Sequence, residues 1–253
     1  MTQSRIQKFL ANQGIASRRA IERMITAGEI KINNRIAVPG QKVSIQDKIT
    51  VKGQLIKPIK LASRAVIVYH KTYQEICTRA DDQHRPDVFR NLPNIHIGKW
   101  HMVGRLDFTT SGLLLFTNDG DLAYRLMHPK YHIDREYMAR VYGRATEQAV
   151  QNMLSGVLLD QSKAGFTDIY PLKPEPGLYQ WFNLVLQEGR KHAVKRIFAT
   201  QGLQVTRLKR VRYGNIILNR KLKPGQWLQL NDKEMNDLAA IVELESKPVC
   251  KVL

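Results

Sequence analysis

A single carboxylate, Asp107, lies in a polar stretch that precedes a short apolar run. Residues 113–116 are all apolar and predict a buried strand, and the glycine and hydroxyl residues before them predict a loop. Arg105 places a cation two residues away, and the loop has no second carboxylate, Cys or His at metal-ligand spacing. An isolated loop aspartate commonly bonds the amides that follow it, which is the structural alternative. An ionised Asp beside an Arg is also typical of a nucleophile.

Tyr137 is the next candidate residue. Residues 135–141 alternate in polarity and predict a strand that places Arg135 and Tyr137 on the same side. A tyrosine packed in a core is the common alternative, and the alternation alone favours it. On the wall of a pocket, the same ring could stack on a flipped-out nucleic-acid base.

A basic helix carries the third group of candidates. Residues 191–200 predict a helix whose apolar positions, starting at Val194, form one buried stripe. Lys195 shares a different face with His192. The basic residues in and before this helix are Arg190, Lys191, His192, Lys195 and Arg196. Solvent exposure explains Lys191 simply, and it explains the cation directly after Val194 less well.

The chain is strongly basic. It contains 40 Lys and Arg residues against 22 Asp and Glu, which gives a formal charge of +18. An excess of this size concerns the partners of a protein rather than its fold. Residues 1–64 hold 13 basic and 3 acidic residues, and residues 189–223 hold 11 basic residues and no acidic one. Solvated faces usually mix the two signs, so both concentrations favour a nucleic acid as partner.

Composition also limits the class of protein. A hydrophobic content of 43% is ordinary for a globular chain, no apolar run is long enough to cross a bilayer, and the N-terminus has no apolar signal segment. Cys77 and Cys250 are too few for a disulfide framework and are expected to be reduced, structural thiols. We therefore expect a cytoplasmic monomer that does not bind membranes.

Cofactors are not expected, because the sequence has no dinucleotide fingerprint, no phosphate-binding loop and no cluster of metal ligands. Asp119 and Asp121, on either side of a glycine, could hold a cation. Such a pair more often forms a turn at the start of a helix, which is predicted here over residues 122–127.

Two domains are expected from the order of the predicted elements. Residues 1–60 predict helices over 5–13 and 18–27, the second capped by Ser17, followed by short strands. Residues 61–64 would link them to a larger domain over 65–245, and residues 246–253 would form a tail. The last helix of the larger domain is predicted after Asn231, where Glu234 completes a capping box.

Three stretches resemble motifs of a known family. The string GRLDFTTSGLL around Asp107 resembles the signature loop of the ribosomal pseudouridine synthases, which isomerise uridine within RNA. Arg135-Glu136-Tyr137 resembles their basic-x-Tyr motif, and EGRKHAVKRIF, starting at Glu188, resembles their third motif. The resemblance covers nearly all of the chain. It implies an α+β fold, with a small N-terminal α/β RNA-binding module before a catalytic domain built on a mixed, mainly antiparallel sheet.

The resemblance also implies roles for single residues. Asp107 would be the nucleophile, Tyr137 would stack on the flipped uridine, and Lys195 would pair with Asp107 where the family has an Arg. Lysine keeps the charge of that Arg but not its bidentate geometry. The other RNA-binding residues of this domain would be Arg105, Arg135, Arg190, Lys191, His192 and Arg196.

The N-terminal residues resemble the S-four-like RNA-binding module, in which a helix pair grips an RNA backbone. Its phosphate contacts would be Arg5, Lys8, Ser17, Arg18, Arg19 and Arg23. The implied substrate is ribosomal RNA, most specifically that of the large subunit. A non-catalytic ribosome-associated RNA-binding protein is the main alternative, because this module also occurs in such proteins. The missing cofactor loop and acidic metal cluster argue against a methyltransferase or a nuclease.

Overall fold

A computed structural model describes residues 3–57, 63–95, 98–172, 177–250 and 252. Its first elements form a small N-terminal module. In chain order they are β1 (Ser4–Arg5), α1 (Ile6–Asn12), α2 (Arg18–Thr26), β2 (Ile30–Ile32), β3 (Arg35–Ile36), β4 (Lys42–Val43), β5 (Ile49–Val51) and β6 (Gln54–Ile56). Four of these strands make an antiparallel sheet in the order β3-β2-β5-β6, and β1 pairs with β4.

An apolar cluster of its own holds the module together. Ile6 and Leu10 of α1 and Ile21 and Ile25 of α2 are buried in this cluster with the isoleucines and valines of the sheet. The predicted cap of α2 is confirmed, because the Ser17 hydroxyl oxygen accepts a hydrogen bond from the Ala20 amide at 3.2 Å. Both helices are slightly shorter than predicted.

The larger domain begins with β7 (Val66–Lys71). It continues with β8 (His101–Val103), β9 (Thr110–Thr117), α3 (Gly120–Met127), β10 (Arg135–Tyr142), α4 (Glu147–Ser155), β11 (Val157–Leu159), β12 (Ser162–Ala164), β13 (Asp168–Pro171), β14 (Tyr179–Leu186), α5 (Ala193–Ala199), β15 (Gln204–Tyr213), β16 (Ile216–Ile217), β17 (Trp227–Gln229) and α6 (Asp232–Ala240). A single 3₁₀ turn, Pro129–Tyr131, follows α3.

One mixed sheet organises this domain, with the strand order β13-β14-β10-β15-β9-β7-β17 and with β16 and β8 attached at β15 and β9. All neighbours pair in the antiparallel sense except β15 and β9, which are parallel. The predicted α+β class and mainly antiparallel sheet are confirmed. The predicted capping box is also present, at Asn231 and Glu234 of α6.

The sheet has a core on each of its faces. One core extends along one whole face, from β10, β14 and β15 to β7 and β9, and includes residues of α4 and α5. The other core lies between the second face of β7 and β9 and the helices α3 and α6. The second face of β10 and β14 is left without a helix among the described elements.

The parallel contact between β9 and β15 requires a glycine. Gly112 pairs with Arg210, and a Cβ at Gly112 would lie 2.2 Å from the Arg210 backbone oxygen. Its φ of +106° also disfavours any residue with a side chain. Gly112 is therefore what allows the strand after the Asp107 loop to lie beside the basic strand β15.

Helix α5 begins later than the sequence predicted. His192 has a left-handed backbone (φ 56°), so the helix starts at Ala193 rather than at residue 191. The predicted buried stripe is confirmed, since Val194, Ile197 and Phe198 are buried in the core. His192 and the residues before it consequently belong to a loop and not to the helix.

Residues 246–250, predicted as part of a tail, bond to the start of the larger domain. The Arg64 amide donates to the Pro248 oxygen and the Cys250 amide donates to the Arg64 oxygen, both at 2.8 Å. Arg64 itself is fully buried and pairs with Asp119 at 3.0 Å. Of the predicted linker 61–64, residues 61 and 62 lie outside the described chain, and Arg64 belongs to the fold of the larger domain.

Candidate active site

A cleft of about 900 Å³ lies where the Asp107 loop, β10, β15 and the segment before α5 meet. Most of the candidate residues of this domain line it. They are Arg105, Asp107, Arg135, Tyr137, Arg190, Lys191, His192 and Lys195. The volume is within the range of small-molecule sites and is large enough for a nucleoside. Residues far apart in sequence therefore converge on Asp107, as the motifs predicted.

Asp107 lies in the loop between β8 and β9, with about one third of its side chain exposed. In this part of the chain the Thr110 amide donates to the backbone oxygen of Asp107, at 3.0 Å, and not to the carboxylate. The carboxylate faces His192 instead, whose Nε2 lies 3.4 Å from Oδ1. This geometry disfavours the Asx-turn alternative and leaves the carboxylate directed into the cleft.

Lys195 approaches the same loop from α5. Its Nζ donates to the Thr109 hydroxyl at 2.6 Å, two residues after Asp107. The ammonium thus fixes the loop and places a positive charge close to the carboxylate. His192, in contrast, contacts the carboxylate itself. The sequence grouped His192 with the RNA contacts and gave no signal for this closer position.

Tyr137 of β10 also lines the cleft. It is 8% exposed and belongs to the core under α4 and α5, yet it also lines the cleft. The core alternative and the cleft position are therefore both correct for this ring. Its β15 neighbour in the sheet is Arg210.

Arg210 is a cleft residue that the sequence analysis missed. It is 1% exposed, its Nε donates to the Leu113 oxygen at 2.7 Å, and its buried Nη2 has no partner within the described chain. The guanidinium lies 5.0 Å from the centre of the Tyr213 ring, and that of Arg135 lies 5.2 Å from the same ring. The cation-rich strand was visible in the sequence. Which of its cations points inward depends on the bulge of β15 opposite Glu136 and Tyr137.

Lys71 is a buried cation bonded to the end of the Asp107 loop. Its Nζ donates to the backbone oxygens of Thr110 at 2.8 Å and Thr72 at 3.0 Å, which ties β7 to the end of the Asp107 loop. Burial lowers the pKa of this ammonium, while the nearby Cys77, Glu75 and Asp107 act in the opposite direction. Burial also raises the pKa of the Cys77 thiol, whose sulfur accepts a bond from the Leu106 amide at 3.5 Å.

Three of the predicted RNA contacts have internal partners. Arg135 donates to the Gln187 oxygen at 2.7 Å. Arg190 pairs with Glu188 and donates to the Leu159 oxygen at 3.1 Å. Arg196 does not line the cleft, because it makes a bidentate pair with Asp160 at 2.7 Å. Arg196 thus attaches α5 to the turn of the β11–β12 hairpin, and its contact with RNA stays a prediction.

The N-terminal candidates also divide into two groups. Arg5, Arg18, Arg19 and Arg23 are exposed, as phosphate contacts need to be. Lys8 instead pairs with Asp121 at the start of α3, at 2.5 Å, which joins the module to the larger domain. The Ser17 hydroxyl is engaged as the cap of α2. These two residues therefore have structural partners, and their contact with RNA stays a prediction.

Asp119 and Asp121 serve structural roles too. Asp119 caps α3 by accepting from the amides of Asp121 and Leu122, as the turn interpretation predicted. Among the described residues there is no group of three or more His, Cys, Asp or Glu side chains arranged to hold a metal ion. In the same residues, no helix has the length and apolar character needed to span a membrane.

Comparison with known proteins shows the family. The model of the RNA pseudouridylate synthase family matches residues 65–200, more than half of the chain, and that of the S4 domain matches residues 4–49. This chain belongs to the RNA pseudouridylate synthase family. The family match includes the Asp107 loop, β10 and α5, and therefore every element that carries the cleft except β15.

Similar proteins extend the match to nearly the whole chain. Three curated relatives, each named ribosomal large subunit pseudouridine synthase B, come from Pseudomonas aeruginosa (44% identical, 97% of this chain and 64% of the relative), Vibrio cholerae (43%, 95% and 75%) and Salmonella typhi (42%, 98% and 86%). The chain thus spans a little under two thirds of the Pseudomonas protein. A crystal structure of a pseudouridylate synthase is 28% identical, with a TM-score of 0.64, and covers 92% of this chain and 99% of its own.

Proposed function

We propose that this protein is an RNA pseudouridine synthase that isomerises a uridine of large-subunit ribosomal RNA. The observation that carries the proposal is that Asp107, on a loop, and Tyr137, on β10, line the same basic cleft. Family membership supports the reaction. The names of the relatives support the large-subunit RNA as substrate.

The reaction demands a pocket that a base can enter. A uridine within folded RNA must first leave its stack, and an aromatic side chain can then compensate part of the lost stacking. Tyr137 lines the same cleft as Asp107, which supports a role in stacking on the flipped base. The exposed Arg105 and Lys191 at the cleft are placed to bind the backbone around the flipped nucleotide.

Isomerisation breaks the bond between uracil N1 and ribose C1′ and forms a bond between uracil C5 and C1′. The C5 proton leaves and N1 gains a proton, so atoms balance and no electrons are transferred to an outside partner. The Asp107 carboxylate would supply the transient covalent bond, either to the ribose or to the uracil ring. A general base would then remove the C5 proton. The Tyr137 hydroxyl is the candidate for this step that the motif supplies.

The surrounding cations favour a charged nucleophile. The Lys195 ammonium donates to Thr109 of the Asp107 loop, and the buried Lys71 ammonium donates to the backbone oxygen of Thr110 at its end. Opposite charges at these distances attract strongly once the cleft is filled and water is displaced. The same cations attract the RNA phosphates, so one feature serves both binding and chemistry.

Mapping of pseudouridine across ribosomal RNA in cells lacking this protein tests the proposal. One site in large-subunit RNA should lose its pseudouridine, and the wild-type protein should restore it while Asp107→Asn should not. Restoration by Asp107→Asn would support the second candidate, a non-catalytic RNA-binding protein that assists assembly. That candidate is favoured only by the S4 module.

The predicted absence of a cofactor has its own test. Purified protein should turn over RNA that is already folded in the presence of excess EDTA and without additions. A strict requirement for a metal in the chemical step would contradict this. The monomeric state and the cytoplasmic location remain predictions, for which sedimentation and cell fractionation are the direct measurements.

A further inference from the structure

One half of the large sheet has a face that no described helix covers. Tyr137, Ala139 and Val141 of β10 point into the core under α4 and α5, so the residues between them point to the other side. Met138 and Trp181, on that other side, are half-buried and belong to neither of the two cores that the described residues of this domain form. This open face is the reverse of the one that lines the Asp107 cleft.

Cations and aromatic rings occupy neighbouring positions on the open face. Arg140 lies opposite Trp181 of β14 on one side and opposite Arg207 of β15 on the other. Its guanidinium is 3.8 Å from the centre of the Tyr179 ring. The rings of Tyr142 and Tyr179 are 5.4 Å apart. We call the following residues the open-face patch: Arg140, Tyr142, Tyr179, Trp181, Arg207 and Lys209.

Two cations of the patch lie close together on β15. Arg207 and Lys209 flank the buried Leu208 and therefore point to the open face. Within the described chain, Arg207 and Lys209 form no ion pair. On the same face, the cation of Arg212 is instead neutralised by Glu136, at 2.6 Å. A cluster of cations kept beside aromatic rings fits a ligand that is both anionic and planar.

We propose that the open-face patch binds single-stranded RNA. A base would stack on the exposed Tyr142 ring, neighbouring bases would pack against Tyr179 and Trp181, and phosphates would contact Arg207 and Lys209. Adjacent strands are about 4.8 Å apart, so the three strands span about 10 Å, which accommodates two to three nucleotides. Because the patch lies behind the cleft, it would bind a different segment of RNA from the one that enters the active site. The proposal concerns binding alone and does not depend on catalysis.

Binding of a labelled oligoadenylate of about ten nucleotides to the full-length protein tests the patch, because this probe contains no uridine. The informative variants are Tyr142→Ala and Arg207→Glu. Their matched controls are Tyr124→Ala and Lys233→Glu, which make the same changes at exposed positions of α3 and α6. Fluorescence anisotropy gives the Kd at several salt concentrations, and ultraviolet crosslinking followed by mass spectrometry locates the bound probe.

We expect Tyr142→Ala and Arg207→Glu each to weaken binding about tenfold relative to their controls, with crosslinks in peptides from β10, β14 or β15. Arg207→Gln should lower the slope of log affinity against log salt by about 0.7. Pseudouridine formation in ribosomal RNA, measured in parallel, should retain its rate at saturating RNA, which separates this result from any failure of the proposed enzyme. Variants that bind like their controls would overturn the proposal. So would a change in sedimentation with Arg207→Glu, which would show that a second copy of the chain covers the face.

Discussion

Asp107 is the only acidic side chain of its loop, and its carboxylate faces the His192 ring. Replacing it by Asn keeps the shape of the residue and removes the nucleophile. We expect Asp107→Asn to lower the rate of pseudouridine formation by at least about a thousandfold. RNA affinity should change by no more than about twofold, because the basic surface that binds phosphates is intact. Single-turnover assays and binding measured on the same RNA check both halves of this prediction.

Lys195 is bonded to Thr109 rather than directly to Asp107, so its role is to hold the loop and to place a charge near the carboxylate. We expect Lys195→Met to lower kcat by roughly ten- to a hundredfold with a smaller effect on KM. Lys195→Arg, which restores the family residue, should retain most of the rate. The neighbouring exposed Lys191 is the control, since Lys191→Met should raise KM and leave kcat nearly unchanged.

An unchanged kcat in Lys195→Met would transfer the electrostatic role to His192, whose Nε2 lies 3.4 Å from the Asp107 carboxylate. The combination with His192→Gln distinguishes the two cases. If Lys195 and His192 both act on Asp107, the effects of the two substitutions should not be additive, because residues of one interaction network are energetically coupled.

At the scale of elements, the buried carboxylate of Asp119 joins three segments of the larger domain. Its Oδ1 caps α3, and its Oδ2 accepts from Arg64 before β7 and from Lys247 after α6, both at 3.0 Å. Burial alone would raise the pKa of Asp119, but bonding to Lys247 and the charges of Lys247 and Arg64 outweigh it and lower the pKa to about 2. The ends of the domain are thus held by one ionised side chain.

Because the folded-state pKa is below the unfolded value, Asp119 stabilises the fold fully above about pH 4, and this contribution is lost as the pH falls toward 2. Lys247→Met should therefore lower the free energy of unfolding by about 1 to 2 kcal/mol at pH 7, and by less at pH 3. Urea denaturation at the two pH values measures the difference. Lys233→Met, an exposed control on α6, should change neither value, and an equal loss at both pH values for Lys247→Met would contradict the assignment to Asp119.

At the scale of the whole molecule, we expect RNA binding to be divided between the two domains. The exposed Arg18 and Arg19 of α2 belong to the N-terminal module, which has a separate apolar core and lies apart from the residues proposed for chemistry. If both contact phosphates, Arg18→Gln/Arg19→Gln should reduce the slope of log affinity against log salt by about 1.5. The modified uridine should stay the same at high RNA concentration, since phosphate contacts position a protein without reading sequence. Modification of another uridine, or an unaltered slope, would assign site selection or phosphate binding elsewhere.

Local patterns in the sequence determined much of this protein. The signature loop, the alternation of β10, the caps at Ser17 and Asn231 and the buried stripe of α5 are all present as predicted. Each depends on residues within one turn or one strand, where side-chain spacing and backbone hydrogen bonding leave few alternatives. The α+β class was implied by the resemblance of the motifs to those of the pseudouridine synthases.

Only the tertiary structure decided which charges meet. The sequence and the family pattern offered several cations as partners for each carboxylate. In the structure Asp107 faces His192, Asp160 forms an ion pair with Arg196, and Asp121 forms one with Lys8. The inward position of Arg210 likewise depends on a bulge and on the parallel pairing with Gly112. Coulomb attraction does not depend on sequence separation, so the choice among many similar partners is made by the long-range packing of strands and not by any local pattern.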